Sequence, residues 1–372
     1  MKEQNNVNRQ NSDGDRYTEK RLARIREKLD ENKIDAILIT KRENYIYLSG
    51  FTGTSAHLVI TKKDAVLVTD FRYVEQASSQ APLFQIVRYK GDIALEINNL
   101  LKSFGVSKLG FEAADVKYNK YVEFKEKFQT IELVPLNDIV ESIRIIKDNR
   151  ELGYIKKAVE IADEAFNHIL SYIKPGVGET EIAAEMEYFM KRQGGEGPSF
   201  QTIVASGVRS AMPHGVASEK ELEYGDVIVM DYGAIYNGYC SDITRTVFLG
   251  DADSKIKKVY EIVLQAQIEA LNGAFKGKTG REIDEIAREV ITRSGYGDNF
   301  GHGLGHGVGL EIHEEPRFAP AGDKIMENGM VVTVEPGIYI EGFGGVRIED
   351  MIVINDDEPL ILTKASKKLT IV

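Results

Sequence analysis

Four acids in this chain stand where carboxylates are costly. Asp231 closes the apolar run VIVMD, and Glu335 closes VVTVE. A carboxylate at the inner end of a buried strand needs a partner. Asp242 and Glu349 lie on the returning segments, which lets all four converge. Crowded carboxylates repel one another and resist ionising together, and divalent cations resolve the conflict. Oxygen donors with neutral imidazole suit manganese, iron, cobalt or zinc. With one cysteine in the chain, Cys240, a thiolate-rich structural zinc site is excluded. A further ligand is expected from GHGLGHGVGLEIHEEP, where His302, His306 and His313 lie among glycines that leave the backbone open near a ligand. His57 and His168 stand alone and read as structural, and Cys240 reads as a small buried apolar residue.

The acids come in pairs because the segment carrying them repeats. PGVGETEI (175–182) and KGKTGREI (276–283) each place a glycine six residues before an apolar helix start, at an offset of 101. YGDVIVMDYGAIYNGY and NGMVVTVEPGIYIEGF align at an offset of 104, matching Gly225 with Gly329, Asp231 with Glu335, and Gly238 with Gly342. Each copy predicts a helix, a buried strand ending in an acid, a glycine-rich turn, and a returning strand with a second acid. A long amphipathic helix from about Arg150 to Ile173 opens this segment.

Upstream, from Tyr17 to about Asn137, helical and strand patterns alternate. Strands are predicted at 36–40, 58–61, 65–70, 84–89, 108–112 and 131–135, with helices between them. That pattern is a small α/β domain with a mixed sheet. The division is therefore 1–15 as a disordered polar tail, 16–143 as the N-terminal domain and 144–372 as a duplicated C-terminal domain.

Composition excludes several classes. At 372 residues with 42% apolar and 28% charged residues, the chain is neither disordered nor fibrous, and it is long enough for two domains. It has no apolar run long enough to span a membrane, and MKEQNNVNRQNSDGD has no apolar core for a secretory signal. A net charge of −11 argues against nucleic-acid binding. The single cysteine fits a reducing cytosol, so a cytoplasmic enzyme is expected.

The runs DYGAIYNGYCSDITRT, GHGLGHGVGLEIHE, VEPGIY and GGVRIED closely resemble the metallopeptidases of the aminopeptidase P and prolidase group. YLSGFTGT (47–54) and VTDFRY (68–73) resemble their creatinase-type N-terminal domain. The resemblance implies a pita-bread catalytic fold behind a small α/β domain. It implies two divalent ions, Mn²⁺ first and Co²⁺, Zn²⁺ or Fe²⁺ as alternatives, held by Asp231, Asp242, His306, Glu335 and Glu349. Asp242 and Glu349 would bridge the ions, Asp231 would serve one, and His306 with Glu335 the other. Glu335 would also shuttle the proton of a metal-bridging hydroxide, and His214 and His313 would steady the oxyanion. His302, Arg347 and Tyr339 would be the substrate-binding set, with Arg347 also orienting the acids and Tyr339 either hydrogen-bonding near the site or simply packing there.

The implied reaction is hydrolysis of the bond between an N-terminal residue and a proline in second position, an imide bond that general peptidases handle poorly. Length and N-domain motifs favour an aminopeptidase open to longer peptides over a dipeptidase. A strict dipeptidase needs a cation for the substrate's C-terminal carboxylate, and Arg209, Arg317 and an N-domain residue all remain open for it. The intact ligand set disfavours a creatinase or an inactive scaffold, and the N-terminal domain disfavours a methionine aminopeptidase. Partners are expected to be small proline-containing peptides and a second copy in a homodimer, with no nucleic acid or membrane.

Overall fold

Short β-branched runs alternate with amphipathic stretches in the first third of the chain, and a computed structural model shows what they build. It describes the backbone of residues 2–251 and 253–372, with side chains from residue 15 onward. The chain divides into two compact units, Met1–Arg144 and Ile145–Val372. Residues 2–15, expected as part of a disordered tail, belong to the first helix, which runs from Lys2 to Glu31; the side chains before Asp15 lie outside the described residues.

The first unit runs α1 (Lys2–Glu31), β1 (Ala36–Ile39), α2 (Arg42–Ser49), β2 (Ala56–Thr61), β3 (Ala65–Thr69), α3 (Val74–Gln80), β4 (Gln85–Arg88), α4 (Ile93–Ser103), β5 (Lys108–Glu112), α5 (Tyr118–Lys127), β6 (Glu132–Leu136) and α6 (Glu141–Arg144). Its sheet has the order β4-β3-β2-β1-β5-β6. β1 pairs antiparallel with β2 and parallel with β5, so the sheet is mixed as expected. Apolar residues of α1 at helical spacing (Leu22, Ile25, Leu29) are buried, each contributing about 1.5–3 kcal/mol. Asp92 caps α4 by accepting hydrogen bonds from the backbone N–H groups of Ala94 and Leu95. α2 escaped the sequence pattern, because RENYIYLS buries two tyrosines and an asparagine beside one leucine.

The second unit begins with α7 (Asn149–Ile169), whose N-terminus is closed by a reciprocal Asp148–Glu151 capping box. Then come α8 (Glu179–Arg192), β7 (Gly197–Pro198), β8 (Ile203–Ser206), β9 (Val227–Tyr232), β10 (Ala234–Tyr236), β11 (Tyr239–Cys240) and β12 (Ile243–Phe248). The second half follows the same plan: α9 (Ser254–Gly273), α10 (Gly280–Arg293), β13 (Gly305–Gly307), β14 (Glu314–Phe318), β15 (Val331–Val334), β16 (Gly337–Ile340), β17 (Gly344–Arg347), β18 (Asp350–Val353) and β19 (Leu360–Ile361). α7 ends at Ile169, four residues short of the expected end at Ile173.

The duplication is visible in backbone geometry. Gly176 and Gly277 both take left-handed conformations (φ 83° and 91°), as do Gly225 and Gly329 (93° and 87°). β9 pairs with β12 in one sheet, and β15 pairs with β18 in another. One core cluster joins α7 and α8 to β8, β9 and β12; a second joins α9 and α10 to β15, β17 and β18. The halves are laced together where Thr246 donates to the Arg347 carbonyl (2.8 Å) and Glu349 N–H donates to the Thr244 carbonyl (3.1 Å).

Candidate metal centre

Asp231 sits in β9, opposite Thr244 of β12 and Ile203 of β8. Asp242 immediately precedes β12, Glu335 separates β15 from β16, and Glu349 separates β17 from β18. Each acid thus stands at or near a strand end, where a tight reversal turns it inward. His306 occupies the middle of β13, with its N–H donating to Thr333 Oγ1 at 3.0 Å.

The glycines around His306 have a different reason from the one expected. A Cβ on Gly305 would lie 2.1 Å from the Thr333 carbonyl oxygen, and one on Gly307 would lie 2.2 Å from that of Glu315. They let β13 press against β15 and β14, fixing the imidazole. They do not clear space for a ligand.

Asp242, His306 and Glu349 are buried and bring one ligand atom each within 4.8 Å of one another. His306 Nε2 lies 3.3 Å from Glu335 Oε1 and 3.5 Å from Asp242 Oδ2. The other ring nitrogen, Nδ1, donates to the Gly307 carbonyl at 3.1 Å, which leaves Nε2 facing the two carboxylates. Asp231 Oδ1 and Glu349 Oε1 are buried and accept no hydrogen bond from any described residue. An orphaned buried acceptor costs about 1–3 kcal/mol, more when charged.

The electrostatics follow. Burial, then the charges of Glu349, Asp231 and Glu335, push the Asp242 carboxyl well above the usual carboxylate range. Burial and the charges of Glu335 and Asp231 do the same to Glu349. At Asp231, burial outweighs the Arg347 guanidinium and the net shift is upward. Burial also works on Glu335, but the His306 hydrogen bond and the positive field of His306, His302 and Arg347 prevail and hold it low. Inward-facing oxygens without donors, an imidazole nitrogen and like-charged acids make a donor set that divalent cations satisfy. The five residues fit such ions.

These five face a cavity of about 490 Å³, within the size range of small-molecule sites. His214, His302, His313, Arg317 and Tyr339 also line it, as do the apolar Phe200, Ile203, Pro213 and Ile312. His214 and His313 are exposed, and the His313 ring packs edge-on against His306 at 4.3 Å between centroids. Burial, then the positive fields of His306 and Arg317, lower His313 to about 4, which leaves a neutral imidazole at neutral pH. Tyr339 and His302 form a relay: Arg347 Nη1 donates to Tyr339 Oη (2.8 Å), Tyr339 donates to His302 Nε2 (3.0 Å), and His302 Nδ1 donates to the Gly303 carbonyl (2.8 Å).

Arg347 touches the cavity, yet its donors are committed to protein groups. They reach Thr244 Oγ1 (3.0 Å), Pro213 O (3.2 Å), Tyr339 Oη and Asp231 Oδ2. Four of its five N–H groups are thus engaged by the protein, one of them by Asp231.

Two sequence models match this chain: metallopeptidase family M24 over residues 153–356, and the creatinase/prolidase N-terminal domain over 21–146. The chain belongs to metallopeptidase family M24. Like the family, it is a metallo-exopeptidase, with the creatinase-type domain ahead of a pita-bread domain. An Xaa-Pro dipeptidase of Pyrococcus furiosus is 44% identical, covering 94% of this chain and 99% of that one. The solved structure of an Xaa-Pro dipeptidase from Bacillus anthracis is 49% identical with a TM-score of 0.94, covering 95% of this chain and all of the other. That of an X-Pro aminopeptidase from Thermotoga maritima is 41% identical with a TM-score of 0.88, covering 91% and 98%.

Among the residues that sequence reasoning passed over, Thr333 and the Asp284–Arg288 pair hold His306, Glu335 and the His302 segment in place. Thr333 Oγ1 accepts from His306 N–H and donates to Glu335 Oε1 (3.1 Å). Arg288 donates to the His302 carbonyl (2.8 Å), and Asp284 accepts from Leu304 N–H (2.9 Å). The i,i+4 spacing of Asp284 and Arg288 on a helix was the available signal. Cys240 is buried in β11, with its N–H donated to the Gly309 carbonyl. His168 stacks on Phe189 and hydrogen-bonds Glu185 (2.6 Å), away from the cavity.

Proposed function

We propose that this M24 chain is an Xaa-Pro dipeptidase that works with two divalent cations. The observation that carries the reading is Arg317. A dipeptide presents a carboxylate at its far end, and a fixed guanidinium is the group that pairs with it bidentately. Arg209 is taken by Glu179 and the Val216 carbonyl, and Arg347 is committed as described. Arg317 lines the cavity, and its side chain makes no hydrogen bond or ion pair with any described residue. The relatives named as Xaa-Pro dipeptidases support the same choice, against the expectation of an aminopeptidase open to longer peptides.

The cations, bound by Asp231, Asp242, His306, Glu335 and Glu349, supply Lewis acidity toward the scissile carbonyl and the attacking water. The protein's own groups do the rest. Glu335, held low in pKa by His306, takes a proton from the attacking water and hands it to the leaving imide nitrogen. His214 and His313, on the cavity wall, donate toward the developing oxyanion. Phe200, Ile203, Pro213 and Ile312 give the proline ring an apolar wall beside His302. Mn²⁺ is the first choice of metal, a cytoplasmic setting is part of the proposal, and a homodimer is the proposed assembly.

An aminopeptidase acting on longer peptides is the second reading, favoured by the Thermotoga maritima relative. Mass spectrometry of products from Ala-Pro, Ala-Pro-Ala-Ala and Ala-Ala-Ala separates the two. The dipeptidase reading predicts cleavage of Ala-Pro alone. Release of alanine from the tetrapeptide at a comparable rate would transfer the assignment to the aminopeptidase.

A further inference from the structure

Two residues after Asp242 in β12, Thr244 is fully buried between the two halves of the catalytic unit. Its hydroxyl lies 3.0 Å from Arg347 Nε and 2.7 Å from Glu349 Oε2. A guanidinium nitrogen only donates, so the threonine oxygen accepts from Arg347. The single hydroxyl proton is then left for Glu349. The same guanidinium holds Asp231 Oδ2. The result is a continuous chain, Asp231–Arg347–Thr244–Glu349, tying an acid of the first half to an acid of the second. Each terminal acid has one oxygen fastened by the chain and one buried oxygen with no described partner, Asp231 Oδ1 and Glu349 Oε1.

We infer that Thr244 is a positioning residue for the metal site: it fixes the plane of the Glu349 carboxylate, so that one oxygen stays fastened and the other stays turned to a divalent cation. The inference rests on the two-cation reading above. The terminal torsion of a glutamate is broad, so a carboxylate with neither oxygen held samples many orientations. Thr244 removes that freedom before any cation arrives. It acts through Glu349 and touches neither substrate nor cation. Because the threonine proton has one available acceptor, the direction of the hydrogen bond is determined by Arg347. Glu349 therefore meets a donor at Oε2 in every conformation that keeps the Arg347 contact.

The test compares T244V, which keeps the shape and removes the hydroxyl, with T244S, which keeps the hydroxyl. Metal-free proteins are titrated with Mn²⁺ against a competing chelator, and the melting temperature of each metal-free protein is recorded. T244V is expected to bind Mn²⁺ about 10–100-fold more weakly than wild type, the usual range for loss of a group that orients a ligand. T244S is expected to stay within about threefold of wild type. If T244V does not fold, T244A supports the same comparison. A merely structural threonine would lower the melting temperature of metal-free T244V and leave Mn²⁺ affinity unchanged; that result would overturn the inference. Failure of wild type itself to bind Mn²⁺ would instead overturn the two-cation reading, and this inference with it.

Discussion

The two units each bury a carboxylate at the end of a β-strand, and they treat it in opposite ways. In the N-terminal unit Glu112 ends β5, and its oxygens accept from the backbone N–H groups of Thr40 (2.6 Å) and Lys41 (2.8 Å) and from Asn44 Nδ2 (2.6 Å). In the catalytic unit Asp242 and Glu349 lie at comparable depth beside other acids, and Glu349 and Asp231 each have a buried oxygen that no described residue serves. Neutral donors offset much of the desolvation of Glu112, whose carboxyl is pushed by burial only to about 6. Like charges add to the desolvation of Asp242 and Glu349. A buried acid that its own fold satisfies is architecture, and one that its fold leaves wanting awaits a cation. Glu179 makes the same point inside the catalytic unit: fully buried, it is served by Ser206, Ser218 and Arg209, and it lines no part of the cavity.

The contrast breaks first at Glu335. Glu335→Gln removes the proton shuttle and weakens a ligand, so turnover of Ala-Pro is expected to fall at least about 100-fold with the far-ultraviolet circular dichroism unchanged. Near-normal kcat would remove Glu335 from the reaction. Next in size is Arg317→Leu, which is expected to raise KM for Ala-Pro about 10–100-fold, the equivalent of one charged hydrogen-bonding contact. Ala-Pro amide, which lacks the carboxylate, should show no such change; an equal loss on both substrates would deny Arg317 its role.

Glu112 sharpens the comparison from the other side. Its folded pKa lies above the ordinary glutamate value, so folding is favoured where the group is protonated. That stability is fully present below about 4.5 and is lost as pH rises through about 6. A shift of this size corresponds to about 2 kcal/mol. Urea unfolding of wild type and Glu112→Gln across this window should diverge by about that amount, with the variant showing less pH dependence, and activity at neutral pH should follow folding alone. Parallel curves would contradict the account of Glu112. The smallest effect is expected at Cys240, whose replacement by alanine should leave kcat/KM within about twofold, because the thiol lies buried in β11 away from the cavity lining.

Much of this arrangement was legible in the sequence, because duplication writes each strand-end acid twice at nearly the same offset. Asp231, Asp242, Glu335, Glu349 and the histidine loop announce themselves by type and spacing, and the mixed sheet of the first unit follows from strand pattern alone. Thr244 and Thr333 could not be found that way. A threonine in a buried strand is ordinary, and its value as a donor appears only when β12 meets the segment after β17, or β13 meets β15, across the fold. The choice between Arg209 and Arg317 was equally hidden, since it depends on which guanidiniums the fold has already engaged. The glycines beside His306 were visible, but their purpose, close strand contact, belongs to packing.

The central claim is that the unsatisfied acids of the catalytic unit exist to hold cations. The most direct measurement is isothermal titration of the metal-free full chain with Mn²⁺, with metal content counted by mass spectrometry after gel filtration. The account predicts two bound ions per chain and a higher melting temperature on binding. A protein that binds no divalent cation while remaining folded would contradict it.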